Sequence, residues 1–180
     1  MKKGVLFLLF VLGIGALSPT RLHGETTSFC ESFGVKKLDG KKEASSFSLK
    51  DLNGNQVALH DYSGKPVLLF FWATWCISCK EDIVLLEKFS QRKRDQFEIL
   101  TLVIDGENEK RVKRVVKKHK ISLPVLLDAN EKIARTYGIW MIPTAFLINR
   151  EGWIEGVIVG PRDWNGDTAL SAVKEVLNLR

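Results

Sequence analysis

The chain has 180 residues, 45% of them hydrophobic, with a formal net charge of +6 and three cysteines. That length and apolar content fit one packed domain with an appendage, and no internal repeat or low-complexity segment interrupts it. Removing residues 1–24 lowers the charge to +3 (24 basic, 21 acidic), a balance that calls for no nucleic-acid partner.

Met1-Lys2-Lys3 is a short positive start, Gly4 to Leu17 an unbroken apolar run, and Ser18, Pro19 and Thr20 end it. These 14 residues fall short of the roughly 20 that span a bilayer as a helix, and match the apolar region of an export signal. Residues 1–24 are therefore expected to be a signal peptide. An uncleaved membrane anchor through residues 4–17 is the alternative, because neither Ala16 nor Gly24 has a clean small-x-small cleavage pattern. Residues 25–44 read as a polar tether with Cys30 as a free thiol, and residues 45–180 as the folded domain. Bulky Phe29 argues against lipid attachment at Cys30. An extracytoplasmic location, periplasmic or anchored facing outward, follows from the export segment. Disulfides persist there, so an exposed dithiol must be reoxidised or kept reduced by a dedicated electron supply.

Phe47 and Leu49 alternate with polar neighbours, Asn53-Gly54 signals a hairpin turn, and Val57 and Leu59 resume the alternation. Pro66 opens Val67-Leu68-Leu69-Phe70-Phe71-Trp72, which is apolar on both pleat faces and so reads as a central buried strand. An amphipathic helix is expected from about Lys80 to Gln91, with Ile83, Leu85, Leu86 and Phe89 as its core face. Phe97 to Ile104 is a second buried strand. A basic helix follows, Lys110 through Lys120, with Val112, Val115 and Val116 turned inward and the cations outward. Its basic face reads as solvated, with docking to an acidic partner the lesser reading. The apolar run from Pro124 leads into a short helix ending near Tyr137. Thr144–Ile148 and Trp153–Val159 flank the turn from Asn149 to Gly152, and a last helix carries Leu170, Val173 and Leu177. Strand–helix alternation closed by a hairpin predicts an α/β fold, a central sheet with helices on both faces.

Cys76-Ile77-Ser78-Cys79 sits where the central strand gives way to the helix. Residues three apart on a helical turn share a face at a spacing that a disulfide can close. Free N–H groups and the positive end of the helix dipole stabilise an anion at Cys76, and the thiolate is the attacking species in disulfide exchange. Cys76 is thus the expected nucleophile, and the more hidden Cys79 resolves the mixed disulfide. A structural zinc site would need four ligands, and Cys30, His23, His60 and His119 are scattered singly, so no metal is expected.

Trp72-Ala73-Thr74-Trp75-Cys76-x-x-Cys79, the Ile142-Pro143-Thr144 step and Phe146-Leu147-Ile148 with Gly152 soon after resemble the thioredoxin superfamily. The leading hairpin, Gly64-Lys65-Pro66 and the Trp-Ala-Thr-Trp-Cys run resemble its TlpA-like branch of exported thiol–disulfide reductases, several of which serve cytochrome c maturation. The resemblance covers roughly Ser45 to Arg180. It implies a three-layer thioredoxin-like fold with a central mixed β-sheet and an N-terminal β-hairpin extension. It also implies that Pro143 is a cis-proline beside the dithiol, leaving the backbone of Ile142 to pair with an extended substrate. Trp72 is expected in the core and Trp75 on the substrate surface. The branch often places a glutamate three residues after the second cysteine. Asp82 stands there, expected to take the proton that Cys79 sheds, with a solvated first-turn acid as the plainer reading. The dipeptide lacks the usual proline, and Val84 stands where many relatives of that branch carry one. The implied partners are a disulfide-containing protein and a membrane electron donor. No organic cofactor is implied, since the dithiol carries both electrons. A dithiol oxidase has the same geometry with the opposite poise. A peroxidase fits less well, because Thr74 lies two rather than three residues before Cys76. A copper carrier would pair the cysteines with His60 or His119.

Overall fold

The structure is a computed structural model and describes residues 28–93 and 96–179. The expected export segment lies outside those residues. At the centre is β4 (Val67–Trp72), buried at every position. An apolar residue on both pleat faces is stable only between two covering layers. β4 pairs in parallel with β5 (Glu98–Val103) and antiparallel with β7 (Thr144–Ile148). With β1 (Val35–Lys37), β6 (Val125–Leu127) and β8 (Ile154–Val159), they form a six-stranded mixed sheet ordered β1-β8-β7-β4-β5-β6.

Alternation along β4 separates the two layers. Phe70 points to Trp164, which also meets Phe33 of α1 (Phe29–Phe33) and Phe89 of α2 (Ile77–Ser90). Phe71 points the other way, onto Phe146 and onto Tyr137 at the end of α4 (Lys132–Thr136). The right-handed crossovers β4-α2-β5 and β5-α3-β6 put α3 (Glu109–His119) on the α2 side. There the Glu87 carboxylate of α2 accepts the backbone N–H groups of Ser122 and Leu123 at 2.8 and 3.0 Å. On the Phe71 side lies a two-stranded hairpin, β2 (Ser48–Lys50) and β3 (Gln56–Ala58). Its Gly54 turns at a φ of 87°, and the Tyr137 hydroxyl donates to the nearby Ser45 carbonyl at 2.7 Å.

Three expectations need correction. Residues 28–44 are not a tether: α1 and β1 belong to the domain, and β1 extends the sheet by pairing with β8. Cys30 is accordingly 1% exposed rather than on a flexible segment, its thiol donating to the Ala172 carbonyl of α5 (Asp167–Val176). The expected face of that last helix also shifts. Val173 and Leu177 are buried but Leu170 only in part, and Ala169 and Ala172 fill the contact instead. Small side chains let α1 lie close across α5. Finally, α2 starts at Ile77, ahead of the amphipathic stretch expected from about Lys80; Cys79 lies inside the helix, as expected.

Candidate active site

The dithiol loop leaves the carboxyl end of β4 and is held by β5. The Trp72 carbonyl accepts Ile104 N–H at 2.9 Å, and Asp105 receives the Thr74 N–H at 2.9 Å and the Thr74 hydroxyl. Asp105 can take that position because Gly106 follows it: a Cβ there would stand 2.8 Å from the backbone of Leu127 and Asp128. The loop then turns, Cys76 N–H donating to the Ala73 carbonyl at 3.2 Å.

Cys76 is the N-cap of α2. Its backbone is extended and its sulfur accepts the Cys79 N–H at 3.1 Å, with the Ser78 hydroxyl at 3.5 Å. Sulfur in this place takes the role that a serine or aspartate oxygen usually plays at a helix start. The same N–H groups lower the cost of a thiolate at Cys76. Cys76 is bonded to Cys79 with Cα atoms 5.3 Å apart, and Cys79 is fully buried.

The Ile142–Pro143 bond is cis. Phe71 pairs with Thr144, so Pro143 stands one step further along, beside Trp72 and at the sheet edge from which the dithiol loop springs. The Pro143 carbonyl accepts Gly160 N–H at 2.8 Å. Ile142 is half-buried. Trp75 is 59% exposed, and Trp72 is fully buried in the core, where the sequence places it. Ile77, Trp140 and Met141 are exposed too, so apolar side chains from the dithiol turn and from the segment before Pro143 face solvent at this end of the sheet. The sequence reading passed over Trp140 and Met141, although they directly precede the Ile142-Pro143 step. Asp105, with Gly106, reads in the sequence only as the end of the second buried strand; its hold on Thr74 is a tertiary contact.

Asp82 is not a solvated acid. It is 3% exposed and lies on the Cys79 face of α2, one turn further on. Its carboxylate accepts the Arg162 N–H at 3.1 Å and the Trp164 indole N–H at 3.2 Å. Burial pushes its pKa up to about 6, against the pull of those two donors. Among the described residues no group of three or more His, Cys, Asp or Glu could hold a metal ion, so neither His60 nor His119 joins the cysteines in one.

A match to the AhpC/TSA family covers residues 41–157. The chain belongs to the AhpC/TSA family. It is 35% identical over 164 residues to the thiol-disulfide oxidoreductase ResA of Bacillus thuringiensis subsp. konkukian, covering 89% of this chain and 91% of that one. Two solved structures share the thioredoxin-like fold. The thioredoxin domain of a thiol-disulfide oxidoreductase from Bacteroides vulgatus is 27% identical, with a TM-score of 0.66 over 78% of this chain and 99% of the other. The exposed lipoprotein thioredoxin Etrx1 of Streptococcus pneumoniae is 32% identical, with a TM-score of 0.63 over 73% and 99%. The activity class of this AhpC/TSA protein is thiol–disulfide oxidoreduction.

Proposed function

We propose that the protein reduces disulfides of extracytoplasmic proteins, apocytochrome c among them, and is itself re-reduced by a membrane electron-donor protein. The observation that carries this reading is the Cys76–Cys79 pair at the start of α2, accompanied by the exposed side chains of Trp75, Ile77, Trp140 and Met141. An apolar rim of that kind suits a polypeptide better than a small polar disulfide. An extracytoplasmic site is supported by the apolar run of residues 4–17, as signal or as tether, and by the exposed lipoprotein among the similar structures. No helix among the described residues is long and apolar enough to cross a membrane.

In the reduced protein the Cys76 thiolate attacks one sulfur of the substrate disulfide. The substrate S–S bond breaks, a bond forms between Cys76 and that sulfur, and the released substrate thiolate takes a proton from solvent. The substrate backbone lies along Ile142 and Pro143, against Trp75. Cys79 then gives its proton to the Asp82 carboxylate and attacks the Cys76 sulfur. The second substrate thiolate leaves and takes up a proton. Two electrons have passed to the substrate, and Cys76–Cys79 is the disulfide that remains. Asp82 suits the proton step because it is buried behind Cys79 with a pKa of about 6, so it is ionised at neutral pH yet a far better base than an ordinary carboxylate.

The midpoint potential of the Cys76–Cys79 couple tests the direction. A value near thioredoxin's, about −270 mV, supports a reductase; a value near DsbA's, about −120 mV, makes the same residues an oxidase that installs disulfides.

A further inference from the structure

The net charge of the chain is concentrated in one helix. Residues 109–120 hold seven lysines and arginines and one acid, a net +6 that equals the formal charge of the whole chain; the rest carries 20 bases and 20 acids. Lys110, Arg111, Lys113, Arg114, Lys117 and Lys118 are all exposed. Among the described residues only Lys113 of these six is in an ion pair, with Glu109. They cover about 160° of the helix surface, opposite Val112, Val115 and Val116. Bringing so many like charges within one Debye length is unfavourable for the isolated domain. The packing of α3 does not use them, since it rests on buried Val112 and partly buried Val115 and Val116.

This strip begins at the active site. Asn108 and Arg111, at the start of α3, line a cleft of about 380 Å³ together with Trp75, Asp105, Glu107 and the ion-paired Glu131 and Arg135. Lys118 lies seven residues beyond Arg111, about 10 Å further along the helix. A polypeptide reacting at Cys76 and leaning on Trp75 therefore crosses a cleft of mixed charge and, past Arg111, meets the cations Arg114, Lys117 and Lys118 without an acid between them. The cleft is concave and α3 turns no apolar side chain outward, two features that suit a protein surface better than a flat bilayer.

We propose that the outer face of α3 docks an acidic flank of the protein whose disulfide exchanges with Cys76–Cys79, steering it electrostatically to the dithiol. The proposal rests on the reading of Cys76–Cys79 as the exchanging pair. Unlike the apolar rim, it specifies which polypeptides are favoured: those with aspartate and glutamate beside their cysteines.

The test uses the reduced protein and two model peptides, each closed by one disulfide, one flanked by glutamates and one by lysines, with neutral 2-hydroxyethyl disulfide as a third substrate. At low ionic strength the acidic peptide is expected to be reduced about 10-fold or more faster than the basic one, and about 0.5 M salt should erase the difference. A variant carrying Arg114→Glu, Lys117→Glu and Lys118→Glu should lose or invert the preference while reducing the neutral disulfide at the wild-type rate. Equal, salt-insensitive rates for the two peptides, with the neutral disulfide reacting normally, would overturn the docking proposal and leave the redox reading intact. Charge-dependent binding to phosphatidylserine vesicles without a peptide preference would likewise overturn it, assigning the strip to a membrane surface. Failure to reduce the neutral disulfide as well would remove the redox reading and the docking proposal with it.

Discussion

The indole N–H of Trp164 donates to a carboxylate oxygen of Asp82 across 3.2 Å, joining residues 82 positions apart behind the dithiol. The Trp164 ring is held edge-on or tilted by Phe33, Phe70 and Phe89, so its N–H is aimed by the core. Through this contact the sheet, α1, α2 and the loop before α5 all fix one carboxylate. A buried carboxylate with two donors is neither free to find water nor fully stabilised as an anion, and its raised pKa reflects that balance.

Asp82→Asn removes the proton acceptor and keeps the size. The Cys79 step should slow about 10- to 100-fold, and the limb of the pH–rate profile near pH 6 should disappear. Quenched-flow alkylation of the mixed disulfide measures both. An unchanged rate and profile would remove Asp82 from the mechanism.

The same substitution has a stability signature. Asp82 has a folded pKa of about 6 against 3.8 unfolded, so folding takes up a proton between about pH 4 and 6. Stability from this group is therefore highest below pH 4, falls as pH rises through that window, and stays reduced above it. Oxidised Asp82→Asn should be more stable than wild type at pH 8 by roughly 1–3 kcal/mol, and the gain should shrink towards pH 4. Urea melts at the two pH values read it.

Trp164→Phe keeps most of the ring contacts and deletes the donor. The Asp82 carboxylate then loses one of its two partners, and its pKa should rise by roughly half to one unit further. The pH–rate limb should move up by that amount, whereas a purely packing role would leave its position unchanged.

Trp140→Ala trims the apolar rim without touching the cysteines. KM for a peptide disulfide should rise several-fold, with little change for 2-hydroxyethyl disulfide. Equal losses on both substrates would point to a disturbed dithiol and not to substrate contact.

Cys30 is buried against α5, and burial pushes its pKa up to about 11. The native protein should therefore resist alkylation at Cys30 and run as a monomer on non-reducing electrophoresis, with reaction appearing only on unfolding in denaturant. Rapid modification of the native protein would contradict the packing of α1 on α5.

Much of this protein is decided by its sequence alone. The six apolar residues of β4 have no stable place except a sheet covered on both faces, and a CxxC at the following helix start has one favoured chemistry. Valines 112, 115 and 116 orient the basic helix, and Asn53-Gly54 and Gly152 turn the hairpins, because side-chain periodicity and positive φ are local properties. Tertiary structure decided the rest, through contacts between segments far apart in the chain. Residues 28–44 read as tether because three-residue β1 and five-residue α1 are too short to carry a periodic signal; pairing with β8 and packing on α5 make them part of the domain. Asp82 reads equally well as a solvated first-turn acid. Only the approach of Arg162 and Trp164 buries it and raises its pKa, since desolvation depends on what the chain brings back over a residue and not on its neighbours in sequence.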